Sequence, residues 1–202
     1  MKSITLTGLT LSHEQIVAVA YGASVELDKS KLIAVAKTAE FLAEQVKQQQ
    51  PLYGVSTGFG SNADKLLGAH HIRSSNKTEE TLLEELQRNL IITHAVCVGE
   101  PFSSEVVRAM MVIRINTLMR GHSGIRVETL QALTSMLNAG IVPIVPQLGS
   151  VGASGDLAPL SHLAIVMLGG GEAFYQGRRI PGAQALQEAG LIPIKLSHKE
   201  GL

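Results

Sequence analysis

Between Ser103 and Met119 the chain can form a helix only if other parts of the protein cover most of it. A helix that is apolar on nearly all sides is buried among other elements. The segment therefore predicts a central helix, capped by Ser103 or Ser104, in a helical protein. Its apolar residues are Val106, Val107, Met110, Met111, Ile113, Ile115, Leu118 and Met119.

Five further segments combine helical apolar spacing with recognisable helix ends. Four of them follow a short polar residue that can cap free helix N–H groups, namely Ser12, Asp28 or Ser30, Asn76, and Asp156. The capping-box spacing of Ser12 and Gln15 is the clearest of these signals. The segments cover about 12–21, 28–50, 76–95, 127–140 and 156–170.

Three other stretches are predicted not to be helical. The first ten residues alternate weakly, which indicates a short strand or an extended arm. Two prolines exclude a helix over 141–149, and 175–182 has the composition of a turn or hairpin. The glycine-rich stretch 51–71 is predicted to be a long, shaped loop, and loops of this length are often functional.

Composition excludes several classes of function. The 202 residues are typical of one domain, and seventeen basic residues balance seventeen acidic ones. A neutral chain has no overall field for nucleic acid or an anionic membrane, so we expect a small-molecule ligand. A single cysteine, Cys97, excludes an intramolecular disulfide, and no signal-peptide core or transmembrane run occurs, so we expect a cytoplasmic protein.

The stretch GSVGASGDLAPL, residues 149–160, is unusually rich in small residues just before a helix. Its simplest interpretation is a turn whose Ser154 or Asp156 caps that helix. A serine-hydrolase elbow is excluded because Asp156 stands where the motif needs glycine, and a phosphate-binding loop is excluded because no Gly-Lys-Ser/Thr follows.

A third chemistry fits the residue types Ala153-Ser154-Gly155. Because glycine has no side chain to clash, the Gly155 nitrogen can approach the Ala153 carbonyl carbon. Ring closure followed by loss of water, including the Ser154 hydroxyl, leaves an exocyclic methylidene. This group is an electrophile of a kind that no standard side chain supplies.

Three blocks of the sequence resemble the aromatic amino acid ammonia-lyase family, which comprises histidine, phenylalanine and tyrosine ammonia-lyases and related aminomutases. GSVGASGDLAPLSHLA is similar to the segment in which Ala-Ser-Gly becomes 4-methylidene-imidazol-5-one. YGVSTGFG resembles the tyrosine loop of the family, and INTLMRGHSGIR with LNAGIVPIVPQLGS resembles the helix and connection before the prosthetic group. The resemblance runs from about Asp28 to Leu202. It implies a mainly α, N-terminal helical domain of the fumarase/aspartase-like fold with a few short strands.

The resemblance also implies roles for individual residues. Tyr53 corresponds to the catalytic tyrosine, the base that removes a β-hydrogen of the substrate, with Gly60 and Asp156 as supporting residues. The alternative is that Tyr53 is a loop tyrosine stacked on the core. A phenol is a weak base near neutral pH, so the site must favour its ionised form.

Substrate choice depends on Thr93 and His94. Histidine ammonia-lyases have a Ser-His pair at this position, phenylalanine enzymes tend to have Phe-Leu, and tyrosine enzymes His-Leu. The resemblance is therefore nearest to histidine ammonia-lyase, which converts L-histidine to urocanate and ammonia. The alternatives are phenylalanine or tyrosine ammonia-lyase, an aminomutase, and, outside enzymes, a non-catalytic helical module that oligomerises.

The remaining histidines are not expected to bind a metal. His70 and His71 lie in the segment 66–80, which is longer than in most family members, and they have no further ligands at suitable spacing. His122 and His162 are expected to be packing or surface residues.

Compared with members of this family the chain is short, because they are more than twice as long and continue past the segment that corresponds to Lys199–Leu202. We expect residues 1–202 to form one domain, the N-terminal domain of a longer enzyme, truncated before the central helical bundle. The whole enzyme is expected to be a homotetramer, and the chain alone is expected to be inactive because half of the site is missing.

Overall fold

The computed structural model describes residues 3–48, 50–55, 57, 79–152, 156–197 and 199–201, with the backbone alone over 79–83. The described residues are mainly helical with short strands, which confirms the expected fold class. The helices are α1 His13–Ala20, α2 Lys29–Lys47, α3 Glu79–His94, α4 Ser104–Leu118, α5 Val127–Asn138, α6 Leu157–Met167 and α7 Gly182–Glu188. The strands are β1 Ile4–Leu6, β2 Val25–Leu27, β3 Val98–Pro101, β4 Val142–Pro143, β5 Pro146–Leu148, β6 Glu172–Tyr175 and β7 Arg178–Pro181.

The ends of the first two helices follow from local side-chain chemistry. The Ser12 hydroxyl accepts a hydrogen bond from the Gln15 amide at 3.3 Å, and the Gln15 side chain accepts one from the Ser12 amide at 2.9 Å. The Asp28 carboxylate accepts a hydrogen bond from the Ser30 amide at 2.8 Å, and α2 ends shortly before Pro51. These contacts confirm the predicted caps of α1 and α2, whereas the predicted cap at Asn76 lies outside the described residues.

Helix α4 is buried on one side only. Val107, Met111 and Ile115 are fully buried, and the helix packs against α1 and α5. Val106 and Ile113 are 42% and 47% exposed, so the prediction that α4 is covered on most sides was wrong for this side. Apolar spacing shows which residues can be buried, but it does not show which of them a neighbouring element covers.

Arg108 joins the carboxyl ends of α1 and α5 from within this core. Its guanidinium donates hydrogen bonds to the carbonyls of Val19 at 2.9 Å, Leu137 at 3.0 Å and Ala23 at 3.4 Å. Partial negative charge at helix carboxyl ends favours a cation there. Burial lowers the pKa of the Arg108 guanidinium, and the three carbonyls compensate for its lost contact with water.

The strands form three small sheets. Strands β1 and β2 pair in parallel, β3 pairs antiparallel with β5, and β4, β6 and β7 form an antiparallel sheet in that order. Gln176 and Gly177, at φ 49° and 74°, form the two-residue turn between β6 and β7, which confirms the hairpin predicted near the end of the chain. Strands β2, β3, β4 and β5 and helix α7 were not predicted.

None of the helices in the described part of the chain combines the length and the apolar character needed to cross a membrane.

Candidate active site

The residues on either side of the predicted Ala153-Ser154-Gly155 triad have unusual backbone conformations. Ala153, Ser154, Gly155 and also Gly60 lie outside the described residues. On either side of the triad, Gly152 and Asp156 adopt left-handed backbone conformations, with φ of 72° and 60°. A non-glycine residue in this region costs of order 1–3 kcal/mol, and such strain is concentrated at functional sites.

Asp156 does not use its side chain to cap α6. It stands at the N-cap position, but its carboxylate makes no capping hydrogen bond and instead accepts one from the Ser150 hydroxyl. The predicted side-chain cap at Asp156 was therefore wrong. A residue at φ 60° directs its side chain away from the first helical N–H groups, because side-chain capping needs an extended N-cap. The Ser150–Asp156 bond joins the two flanks of residues 151–155.

Gly149 anchors the same segment to the residues that follow α3. A Cβ atom at Gly149 would lie 2.8 Å from both the Cα and the Sγ atom of Cys97, and its φ is 147°. Only glycine therefore permits this approach. Burial raises the pKa of the Cys97 thiol, so the thiol stays protonated near neutral pH and acts as a small packing group.

His162 completes this anchor from α6. Its Nε2 atom accepts a hydrogen bond from the Cys97 amide at 3.0 Å, which requires a neutral ring. Burial lowers the pKa of His162, which favours the neutral form. These contacts agree with the prediction that His162 is a packing residue, and His122 is exposed as expected. Among the described residues no group of three or more potential ligands is placed to hold a metal ion.

Tyr53 lies in a turn, residues 52–55 and 57, that is closed by internal hydrogen bonds. The amides of Val55 and Thr57 donate to the Leu52 carbonyl at 3.0 and 3.2 Å, and the Gly54 amide donates to the Thr57 hydroxyl at 3.3 Å. Val55 and Thr57 are buried, whereas Tyr53 is 58% exposed. This exposure argues against a tyrosine stacked within the core and suits a side chain that reaches a ligand.

His94 is fixed in one tautomer at the end of α3. Its Nδ1 atom lies 2.8 Å from the Leu90 carbonyl, and because a carbonyl only accepts, Nδ1 carries the hydrogen. In the neutral ring the Nε2 atom is therefore a hydrogen-bond acceptor. The Thr93 hydroxyl donates within α3 to the Asn89 carbonyl at 2.8 Å, so its hydrogen is already in use.

Helix α3 connects these features. Gln87 lies seven residues before His94, which places both residues on the same face of α3, two turns apart. The Gln87 side-chain amide donates a hydrogen bond at 3.4 Å to the Gly54 carbonyl, in the turn of residues 52–55 and 57 that carries Tyr53 and is called the tyrosine turn below. Helix α3 also packs against α6. The structure thus brings the tyrosine turn, His94 and α6 to one helix.

Sequence reasoning missed Gln87, Ser150 and the partnership of His162 with Cys97. A signal for Gln87 was present, because this polar residue occurs four residues after Leu83 and four before Ile91, on the apolar face of α3. No local signal marks Ser150 as the partner of Asp156.

A cavity of about 460 Å³ lies between α3, α4, α5, α6 and the segment 194–201. Its wall is largely apolar, with Arg114 as a cation half buried within it. Burial lowers the pKa of the Arg114 guanidinium, which makes no ion pair with the described residues. The lining includes Ile91, Leu118, Leu133, Leu160, Ala164 and Leu196.

Comparison with known proteins identifies relatives over nearly the whole chain. A family model described as Aromatic amino acid lyase matches residues 11–202. A histidine ammonia-lyase from Natranaerobius thermophilus is 46% identical over 200 residues, which are 98% of this chain and 37% of that protein. Among solved structures, histidine ammonia-lyase from Trypanosoma cruzi superimposes with a TM-score of 0.87 at 36% identity and covers all of this chain and 37% of its own. The ergothioneine-degrading enzyme ergothionase from Treponema denticola gives a TM-score of 0.89 at 31% identity over 99% of this chain and 38% of its own.

Proposed function

Because the chain belongs to the aromatic amino acid lyase family, we propose that it is the N-terminal part of an enzyme that eliminates ammonia from L-histidine to give urocanate. The chain spans 37% of the length of the curated relative from Natranaerobius thermophilus, so the activity is proposed for a longer protein. Residues 1–202 alone are proposed to be inactive, since positioning by a complete site contributes much of catalysis.

The observation that carries the choice of substrate is the fixed tautomer of His94. Its Nδ1–H donates to Leu90, which leaves Nε2 as an acceptor at the end of α3. An imidazole N–H of a histidine substrate can donate to this atom, whereas a phenyl ring has no donor. An acceptor that a bound substrate shields from water and leaves without a partner costs about 1–3 kcal/mol, so this position favours histidine over phenylalanine.

Thr93 is proposed to contribute less. Because its hydroxyl hydrogen is bonded within α3, its oxygen can only accept a further hydrogen bond. Its proposed role is therefore to accept from the substrate or to support the orientation of His94, whose Nδ1 lies 3.3 Å from the Thr93 hydroxyl.

Ala153-Ser154-Gly155 are proposed to form 4-methylidene-imidazol-5-one in the longer enzyme. The flanks suit this cyclisation, because Gly152 and Asp156 have turn conformations and a hydrogen bond joins Ser150 to Asp156 across the triad. Such restraint favours approach of the Gly155 nitrogen to the Ala153 carbonyl. The group would supply an electrophilic carbon for the amino group of the substrate.

Tyr53 is proposed to be the base that removes the β-hydrogen. Its exposed side chain stands on a turn with several internal hydrogen bonds, so the phenol can reach a substrate while its backbone stays fixed. Gly60 is proposed to help shape the same loop, by family resemblance.

Other members of the family remain alternatives for the substrate, because ergothionase shares the fold equally well. A non-catalytic oligomerisation module is disfavoured, because a scaffold needs neither the triad nor an exposed tyrosine on a fixed turn. The partners proposed for the longer enzyme are a small amino-acid substrate and further copies in a homotetramer. Nucleic acid and membrane are not proposed as partners, and a cytoplasmic location remains a proposal from composition.

Turnover of histidine, phenylalanine and tyrosine by the longer enzyme tests this proposal. We expect turnover of histidine, and we expect His94→Phe to reduce its kcat/KM by roughly tenfold or more, because the acceptor is lost. Val96→Phe, at an exposed position close to His94, is the matched control. A His94→Phe enzyme with unchanged histidine turnover would contradict the substrate assignment. Separately, the intact mass of the longer enzyme is expected to be lower by two water molecules, mapping to residues 153–155.

A further inference from the structure

Gln87 is a fully buried polar side chain that joins two segments from distant parts of the chain. Its Nε2 atom donates to the Gly54 carbonyl at 3.4 Å, and its Oε1 atom accepts from the Gly201 amide at 2.8 Å. A buried amide costs free energy unless both of its ends have partners. Here one end contacts the tyrosine turn, and the other contacts the segment 195–201.

The contact with Gly201 requires a glycine. A Cβ atom at Gly201 would lie 2.5 Å from the main-chain oxygen of Gln87 and 2.9 Å from its Oε1 atom. Any side chain at this position would therefore push the segment away from α3. The absence of a side chain is what lets the Gly201 amide reach Gln87.

The neighbouring Glu200 fixes Gly201 in place. Its side chain is 1% exposed and forms an ion pair with Arg126 at 2.7 Å. It also accepts hydrogen bonds from the Thr129 hydroxyl and the Ser197 amide, each at 2.7 Å. Because Arg126 and Thr129 lie at the start of α5, the partner of the Gln87 oxygen is tied to the helical core.

On the other side, Gln87 contacts the residue next to Tyr53. The hydrogen bonds from Val55, Thr57 and Gly54 close within the turn itself and do not place it relative to α3. The Gln87 side chain supplies a hydrogen bond from outside the turn, at the Gly54 carbonyl. This carbonyl belongs to the rigid peptide unit that joins Gly54 to Val55, so its position fixes the Gly54 Cα atom, to which the Tyr53 peptide unit is attached.

We propose that Gln87 is a positioning residue for Tyr53, which it couples to the segment 195–201 through the Gly54 carbonyl and the Gly201 amide. Gln87 acts through the backbone of the turn and does not itself touch the substrate. The catalytic meaning of this coupling rests on the proposed role of Tyr53 as the base. The coupling itself can be measured without any turnover.

The test uses ¹⁹F NMR of the 202-residue chain with 3-fluorotyrosine in place of its three tyrosines, Tyr21, Tyr53 and Tyr175. Tyr53→Phe assigns the Tyr53 resonance. Gln87→Glu keeps the size and the acceptor oxygen, and at a pH at which the new carboxyl group is ionised it has no donor for the Gly54 carbonyl. We expect the Tyr53 resonance to shift or broaden, while the other two resonances stay unchanged.

Asn89→Asp is the matched control, because it makes the same amide-to-carboxylate change at an exposed position of α3. We expect it to leave all three resonances in place. A Tyr53 resonance that is unchanged in Gln87→Glu overturns the proposal.

Gly201→Ala tests the coupling from its other end. If Gln87→Glu misfolds and all three resonances change, the Gly201→Ala result decides whether the coupling exists. Its new methyl group collides with Gln87, whereas the helical core of the 202-residue chain is untouched. We expect a shift of the Tyr53 resonance with Tyr175 unchanged. No shift at Tyr53 would overturn the coupling.

Activity of the longer enzyme separates this inference from the proposed function. We expect Gln87→Glu to lower kcat by roughly tenfold to a hundredfold with little change in KM, as for misplacement of a catalytic group. A fully active Tyr53→Phe enzyme would refute the role of Tyr53 as the base. The NMR result for the coupling would stand or fall independently of that outcome.

Discussion

At the scale of single residues, polar groups beside the proposed site are held in one chemical state by their partners. His94 must carry its hydrogen on Nδ1, and His162 must leave Nε2 free to accept from Cys97. Both contacts select the same tautomer of a neutral ring, with the hydrogen on Nδ1, because His94 donates from Nδ1 to a carbonyl and His162 accepts an N–H at Nε2. Protonation of His162 at Nε2 would remove the acceptor for the Cys97 amide and so break this hydrogen bond.

We predict that His162 makes stability depend on pH. Burial lowers the pKa of His162 in the folded chain below the value of about 6.5 in the unfolded chain. Its contribution is complete above pH ~6.5 and is lost as the pH falls through the folded pKa, because the unfolded chain then binds more protons. Urea unfolding at pH 7.5 and at pH 5 is expected to give a lower free energy of unfolding at the lower pH.

His162→Gln keeps an acceptor near Cys97 but does not titrate, so the drop in stability between the two pH values should become smaller. His122→Gln, at an exposed histidine, is the control and should leave the drop as it is in the parent. An identical pH dependence for the parent and His162→Gln would contradict the prediction.

At the scale of elements, the Glu200 carboxylate makes several of the contacts that attach the segment 195–201 to the helices. Burial on its own raises the pKa of Glu200, but hydrogen bonds from Arg126, Thr129 and Ser197 outweigh it and leave the pKa below its usual value. Glu200 also accepts from the Arg126 amide at 3.1 Å, so a residue from a distant segment caps α5, which has no side-chain cap of its own.

We predict that Glu200→Gln loosens this segment. The neutral amide loses the ion pair with Arg126 and can no longer accept all of these bonds, which is expected to cost about 1–3 kcal/mol. Hydrogen exchange at the Ser197 and Gly201 amides, measured by NMR, should become faster. Glu188→Gln, which removes an exposed ion pair with Arg178, is the control and should leave the exchange of these amides unchanged. Equal exchange in both variants would count against the role of Glu200.

At the scale of the whole molecule, apolar side chains near the proposed site face solvent. Val98 and Leu148 are paired across β3 and β5, and each is 64% exposed. Val96 is 62% exposed, and Val106 and Ile113 lie on the uncovered side of α4. Exposed apolar surface of this kind promotes association.

We predict that the 202-residue chain self-associates. Sedimentation velocity at increasing concentration should show the average sedimentation coefficient rising, and Val98→Thr combined with Leu148→Thr should weaken this rise. Ile33→Thr, at a similarly exposed position on α2, serves as the control. A clean monomer at every concentration would contradict the prediction.

The sequence by itself determined the features that depend on neighbouring residues. Local features could be predicted because their contacts span only a few residues. They include the capping box of α1, the Asp28 cap of α2, the Gln176-Gly177 turn and the helix breaks at proline. The motif blocks likewise sufficed to indicate the family, which the comparisons confirm.

Only the tertiary structure decided what depends on residues far apart in the chain. Gln87 bonds to residues 33 and 114 positions away, and the Cys97 amide reaches His162 across 65 positions. Three further features depend on tertiary packing. They are the exposed side of α4, the hydrogen bond from Ser150 to Asp156, and the capping of α5 by Glu200. The physical reason is that the local sequence determines which kinds of group a side chain can contact, whereas the packing of whole elements selects the partner that it meets.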